Sequence, residues 1–406
     1  MRSAWRGLAI VGLASMAILV VAACGGGSKS SSSTTTTTTT ESSGTPQIDA
    51  ANLPVDFSEM AKLKGLASEG KGMIGVLLPD TTTSARYVQY DAPFLKKAFE
   101  TAGLSSDQFK IDNAHGSTST MQQQAEADIT AGASVLLIDP LDPGSGAAIE
   151  SKAEAQCVKV IDYDRLVLGG PKDRYYVSFN NVEVGQLIGK GMVDCIDAWK
   201  VSKPQLLVMS GAATDNNAKL FAQGYNGVLN PKFSAGTYVK VGAPPGTWDP
   251  PTAATEFEQQ FTAHPNINAV VTPNDDNANA VISVLLKNKV KADTFPTTGQ
   301  DASPSGLQNI LKGYQCGTVY KLPYAEPQAA AALALFLRAG KTPPSSLVNS
   351  TTRDTTINAD IKSVYTKPIW VTKENMADTV IKDNVIPINQ ICGGKMAQVC
   401  KDNGIQ

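Results

Sequence analysis

Nine polar residues stand at or just beyond the carboxyl ends of short apolar runs: Asp80, Asp139, Asp164, Arg165, Asn274, Asp275, Gln300, Asp301 and Lys321. Carboxylates, amides and guanidinium groups donate to and accept from adjacent hydroxyls in pairs, so this set suits a neutral polyol. Tyr87 and Trp248, both in predicted loops, have the flat apolar faces that cover a sugar ring. Trp248 lies in a Pro- and Gly-rich stretch from Pro244 to Pro251, which makes a core strand or helix there unexpected.

Reaction chemistry has much less support. Gly65 to Lys71 matches all but the last position of a phosphate-binding loop, but Gly72 stands where a hydroxyl should hold magnesium, and the motif precedes a strand instead of following one. His115 and His264, the only histidines, have no Cys or His at ligand spacing and read as surface or helix-cap residues. No Ser sits in a G-x-S-x-G elbow, and no H-E-x-x-H occurs. Asp275-Asp276 pairs two carboxylates, but like charges at a strand end more often face solvent or hold a lysine. No enzyme activity, cofactor or metal is expected. With 35 basic and 37 acidic side chains in 406 residues, the net charge of -2 also argues against nucleic acid.

The elements that must position these residues alternate in type. From Met73 onward, strand-length apolar runs alternate with amphipathic helix-length stretches, the pattern of βαβ units building parallel sheets. Runs at 73–78, 135–138, 158–161 and 175–179 form one series. Runs at 205–209, 238–241, 269–271 and 317–321 form a second, and a last helix is predicted over Pro327 to Ala339. Two series imply two open α/β domains, and in such sheets ligands bind at the carboxyl edge, where the polar residues gather.

The first 23 residues are an expected signal peptide: Arg2 and Arg6, an apolar run from Gly7 to Val21, then small residues. The run is too short for a stable membrane span. Val21-Ala22-Ala23-Cys24 resembles a bacterial lipobox, which implies lipidation of Cys24 and attachment to the cell membrane. Ser28 to Thr45, nearly all Ser and Thr, reads as a flexible tether, so residues 24–70 are expected to be linker with the fold starting near Lys71.

Several segments together resemble the type I periplasmic sugar-binding proteins, the receptors of ABC importers, and most closely the D-xylose-binding branch. They are Ile161 to Arg165, Val177 to Asn181, Asp215 to Phe221, Thr272 to Asp275, Gly299 to Asp301 and Thr318 to Lys321, with likeness running from about Lys71 to about Asp383. The resemblance implies two doubly wound parallel-sheet lobes joined by three hinge crossings, near Phe179-Asn180, Lys321-Leu322 and between Asn349 and Thr366. It assigns residues 72–179 and 322–352 to the N-terminal lobe, 180–321 and 353–392 to the C-terminal lobe, and 393–406 to a tail. It implies hydroxyl contacts from Arg86, Asp164, Arg165, Asn216 or Asn217, Asn274, Asp301 and Lys321, with Tyr87 and Trp248 stacking. Where the family has Trp after Arg86 this chain has Tyr87. The implied protein is a monomer that closes on a monosaccharide, D-xylose foremost, for ABC permease subunits; a sugar sensor serving a membrane receptor or kinase is the alternative.

The two-lobe organisation bears on the six cysteines. Cys195 and Cys316 both fall at the far pole of the second lobe and are expected to bridge. Cys392 and Cys400 are close enough to staple the tail, which leaves Cys157 as an expected buried free thiol.

Overall fold

The computed structural model describes residues 44–82, 84 and 86–405; the expected signal peptide, the Ser/Thr run as far as Ser43 and Cys24 lie outside them. The strands are β1 (Met73–Leu78), β2 (Phe109–Asn113), β3 (Ala133–Ile138), β4 (Lys159–Tyr163), β5 (Tyr175–Phe179), β6 (Gln205–Val208), β7 (Val239–Gly242), β8 (Ala269–Val271), β9 (Thr318–Lys321), β10 (Ser350–Asp354), β11 (Ala359–Thr366) and β12 (Pro368–Val371).

Seven strands make the first sheet, in the order β10-β11-β5-β4-β3-β1-β2, and only the β10–β11 pairing is antiparallel. Successive side chains point to opposite faces, and β1 divides accordingly. Ile74, Val76 and Leu78 join the core under the helices Ala92–Thr101 and Ala325–Arg338. Leu77 joins the core under Thr118–Thr130 and Pro143–Ala155. With both faces covered, a near-continuous apolar strand follows.

The second lobe repeats the scheme. Its parallel sheet runs β7-β6-β8, continues by bridges from Val270 to Thr297 and from Gln300 to Val319, and ends on the β9–β12 pair. Leu206 and Val208 face the helices Asn181–Ala198 and Asn216–Ser234, and Leu207 faces Pro250–Ala263 and Asp275–Lys287. The α/β fold of two doubly wound parallel sheets is the one expected.

Four expectations are corrected. Residues 48–69 are not linker: Ile48, Phe57, Met60 and Leu63 are buried in the first core. The third crossing lies at Lys367, because β11 pairs with β5 from Lys362 to Thr366, which puts residues 353–366 in the first lobe. The tail 393–406 is no appendage: Met396, Cys400 and Ile405 are buried against Leu307 and Ile310. Cys157 is exposed in the turn before β4, with a left-handed φ of 58°, and is disulfide-bonded, neither buried nor free. The structure bridges Cys195 to Cys316 and Cys392 to Cys400.

Candidate functional site

The carboxyl ends of both sheets meet in one cleft. Its walls are Ser84, Arg86, Tyr87, Asp164 and Arg165 from the first lobe, and Asp215, Asn217, Phe221, Trp248, Asn274, Gln300, Asp301 and Lys321 from the second. All the residues expected to bind a ligand are here except Asn216, which is half-exposed. One step along a helix turns a side chain by about 100°, so only Asn217 faces the cleft.

Local structure fixes each group. Asp164 leaves β4 with φ 57°, a conformation Asp tolerates better than most residues. Its carbonyl is held there by the Ser178 hydroxyl at 2.9 Å and the Asn217 amide at 2.8 Å. Asp301 likewise follows its strand end with φ 91°. Asp215 caps the helix Asn216–Ser234 through the Asn217 N–H at 2.8 Å, and Asn274 caps Asp275–Lys287 through the Asn277 N–H at 2.9 Å. Trp248 is anchored by its Nε1–H donating to Asp215 Oδ2 at 3.0 Å, and its ring meets Phe221 edge-on at 6.4 Å.

Charge is distributed as two interlocked groups. Arg86 donates through Nη1 to Asp164 Oδ1 at 3.1 Å and through Nε and Nη2 to Asp91 at 2.9 and 3.0 Å. The Tyr87 hydroxyl donates to Asp164 Oδ2 at 3.2 Å and accepts from Arg165 Nη2 at 2.9 Å. Burial alone would raise the Asp164 carboxyl, but Arg86, Lys321 and Arg165 hold it well below the usual range. Asp139 and Asp215, beside Arg165, are raised by burial against its pull.

The ion pairs lining the cleft are looser than the Asn217–Asp164 hydrogen bond that joins the lobes. Lys321 Nζ stands 3.7 Å from Asp164 Oδ1 and 3.5 Å from Asp301 Oδ1, and Arg165 Nε stands 3.5 Å from Asp215 Oδ2. Asp301 Oδ1 and Gln300 Oε1 are buried without a hydrogen-bond partner. About 30 Å³ of free volume remains among these groups, room for one or two waters. Anything as large as a sugar ring therefore enters by parting of the lobes.

Other expected residues fall elsewhere. Asp275 is buried below the cleft, accepting from Gln315, Thr318 and the Ser303 N–H. Both His115 and His264 are exposed, the latter closing the helix Pro250–Ala263. Among the described residues no cluster of metal-ligating side chains occurs. Four wall residues were not singled out as ligand contacts. Gln300 already stood among the strand-end polar residues; Phe221 lies four residues after Asn217, on the same helix face. Asp215 carries the helix-capping pattern of an Asp before an amphipathic run. Ser84 has no comparable signal.

Comparison with known proteins agrees with this architecture. The model of the "Periplasmic binding protein domain" family matches residues 74–342, well over half of the 406-residue chain. A D-xylose-binding periplasmic protein of Escherichia coli (strain K12) is 35% identical over 295 residues, covering 71% of this chain and 84% of the relative. A multiple sugar-binding periplasmic receptor of Rhizobium radiobacter is 27% identical over 336 residues, 79% of this chain and 92% of the relative. A carbohydrate transporter solute-binding protein from Chloroflexus aurantiacus, solved with D-glucose, superposes with TM-score 0.68 at 27% identity, covering 78% of this chain and 97% of that one. A cleft between two α/β lobes, walled by hydrogen-bonding groups, is what the family's shared architecture provides: the chain is a binding protein, not an enzyme, and belongs to the periplasmic binding protein family.

Proposed function

We propose that this chain captures a monosaccharide, D-xylose foremost, between its lobes and delivers it to the permease of an ABC importer. A periplasmic binding protein works outside the cytoplasm, and in this reading a cleaved signal peptide takes the chain there.

The observation that carries the reading is the looseness of the ion pairs that line the cleft. Pairs at 3.5–3.7 Å are too long for hydrogen bonds. Together with the unpartnered Asp301 Oδ1 and Gln300 Oε1, they offer acceptors and donors that ring hydroxyls can bridge. The charges of the cleft are already answered by one another, which favours an uncharged ligand. In the bound state Arg86, Asp164, Arg165, Asn217, Asn274, Asp301 and Lys321 contact hydroxyls, while Tyr87 and Trp248 flank the ring. Bridges made to both lobes stabilise the closed form over the open one, and the closed form is what a permease recognises.

The choice of D-xylose is supported by the 35% identical relative of that name. The relatives described with several sugars and with D-glucose are the competition, since one hydroxymethyl group changes binding by only about 1–3 kcal/mol. Isothermal titration against xylose, glucose, arabinose and ribose decides among them. Xylose is expected to bind tightest; if no sugar binds tighter than about 100 μM, the proposal falls.

A further inference from the structure

Behind the cleft wall lies an acid that the hydroxyl contacts do not use. Glu326 is fully buried, does not line the cleft, and sits in the first turn of the helix Ala325–Arg338, just after the crossing at Lys321-Leu322. Its Oε2 accepts from Arg86 Nη2 at 2.5 Å. Its Oε1 is buried without a hydrogen-bond partner. Arg86 is otherwise held by Asp91 alone from behind, and Asp91 in turn accepts from the Tyr163 hydroxyl at 2.7 Å.

We propose that Glu326 is a positioning residue for sugar capture: from the first-lobe end of the second interlobe crossing it fixes the Arg86 guanidinium, so that the Arg86–Asp164 pair is already aligned when Lys321 closes on it. The inference rests on the sugar-binding reading of the cleft. Its logic is geometric. Lys321 and Glu326 flank a crossing of four residues, and both reach the Asp164 group, Lys321 at Asp164 itself and Glu326 through Arg86. Rotation of the crossing therefore moves Lys321 against Asp164, while Glu326 stays with Arg86 and Asp164 in the first lobe. A fork held on its far edge by two carboxylates presents Nη1 in one direction only, which is the preorganisation a hydroxyl clamp needs.

Charge ties the same device to protons. Glu326 is faced by Arg86 and Asp91 from one side, Tyr163 and Asp164 from β4 and its exit, Tyr176 from β5 and Lys321 from β9. Burial raises its carboxyl to about 8 against the pull of Arg86. Parting of the lobes brings water nearer and lowers it, so closing on a sugar takes up a proton and affinity falls as pH climbs from 7 to 9.

The test is titration of the full chain with its tightest sugar at pH 7, 8 and 9, on wild type, Glu326→Gln and Glu326→Ala, with thermal unfolding alongside. Gln keeps the size and the acceptor for Arg86 but cannot titrate. Glu326→Gln is expected within about threefold of wild type at pH 7 and flat with pH. Glu326→Ala is expected to lose about 10–100-fold, the worth of a charge-assisted hydrogen bond, while still unfolding cooperatively. Wild-type affinity in Glu326→Ala, a flat wild-type profile, or an unchanged pH slope in Glu326→Gln overturns the inference and leaves the sugar reading standing. If Glu326→Ala does not fold, the Glu326→Gln profile decides. Failure of the wild-type chain to bind any of the sugars overturns that reading, and this inference with it.

Discussion

Arg165 of the first lobe and Asp215 of the second face each other across the cleft, Nε to Oδ2 at 3.5 Å. Arg165 is at nearly the same distance, 3.6 Å, from Asp139 Oδ1 in its own lobe. The guanidinium thus has one carboxylate that it keeps when the lobes part and one that it meets only when they close. Asp215 also holds the Trp248 indole and caps a helix, so one side chain joins charge, ring and backbone.

Replacing Asp215 with Asn keeps the cap through Oδ1 but leaves an Nδ2 donor where the Trp248 Nε1–H and Arg165 each meet Oδ2. An Asn caps a helix about as well as Asp, so the stability lost should be that of the Trp248 hydrogen bond, about 1 kcal/mol. The charge on Arg165 goes unanswered from the second lobe, and sugar affinity should fall about tenfold. Titration calorimetry with a thermal melt checks both, and unchanged affinity would remove Arg165–Asp215 from the closing mechanism.

Gly211 is required by Trp248. A Cβ added at Gly211 would lie 2.1 Å from the indole Cζ2 and 2.3 Å from Cη2, far inside contact distance. Gly211→Ala should therefore push the ring out of its seat, costing about 1–3 kcal/mol of stability and at least about tenfold in sugar affinity. Denaturant unfolding and sugar titration on the same preparation test it; a variant with wild-type values for both would mean that the ring relocates freely and is no stacking wall.

Asp276, in the first turn of its helix, has a carboxyl raised by burial and by the neighbouring Asp301 to about 6. The native state thus binds a proton more tightly than the unfolded chain, whose Asp titrates near 4. Stability from this group is full below about pH 4 and is lost as pH rises through about 6. Asp276→Asn should flatten that fall. At pH 7.5 it should gain about 1 kcal/mol, once partial exposure and the helix-terminus preference for an anion are discounted. Melting curves from pH 4 to 8 read the slope, and parallel profiles for the two proteins would refute the assignment.

Much of the cleft was legible because strand ends announce themselves. An apolar run that stops at Asp, Asn or Lys carries its chemistry in its last residue, as at Asp164, Asn274 and Lys321. Other segments hide. β2 reads Phe-Lys-Ile-Asp-Asn and lies at the sheet edge, so it lacks a continuous apolar run. The helix Thr118–Thr130 shows little amphipathic contrast because it buries chiefly Met121, Ala125 and even Asp128. Residues 48–69 contribute Ile48, Phe57, Met60 and Leu63 singly from short turns, leaving no period to detect. β11 and the last two residues of β10 lie in the other lobe than expected for a topological reason: a hairpin extends the first sheet after the chain has already returned to it, and nothing local marks where the crossing falls.

The disulfides differ in what they constrain. Cys195 and Cys316 close a loop of sequence separation 121, from the end of the helix Asn181–Ala198 to the start of the segment leading into β9. Cys392 and Cys400 close one of separation 8, within the buried C-terminal segment. On chain entropy the first should stabilise by about 5 kcal/mol and the second by about 2.5. Paired Cys→Ala replacement at 195 and 316 should therefore lower stability about twice as much as replacement at 392 and 400. Neither bridge touches the cleft wall, so sugar affinity should survive both changes in chain that remains folded. Urea titration gives the two losses; equal losses, or a larger one from the short loop, would show that local packing and not loop length governs these bridges.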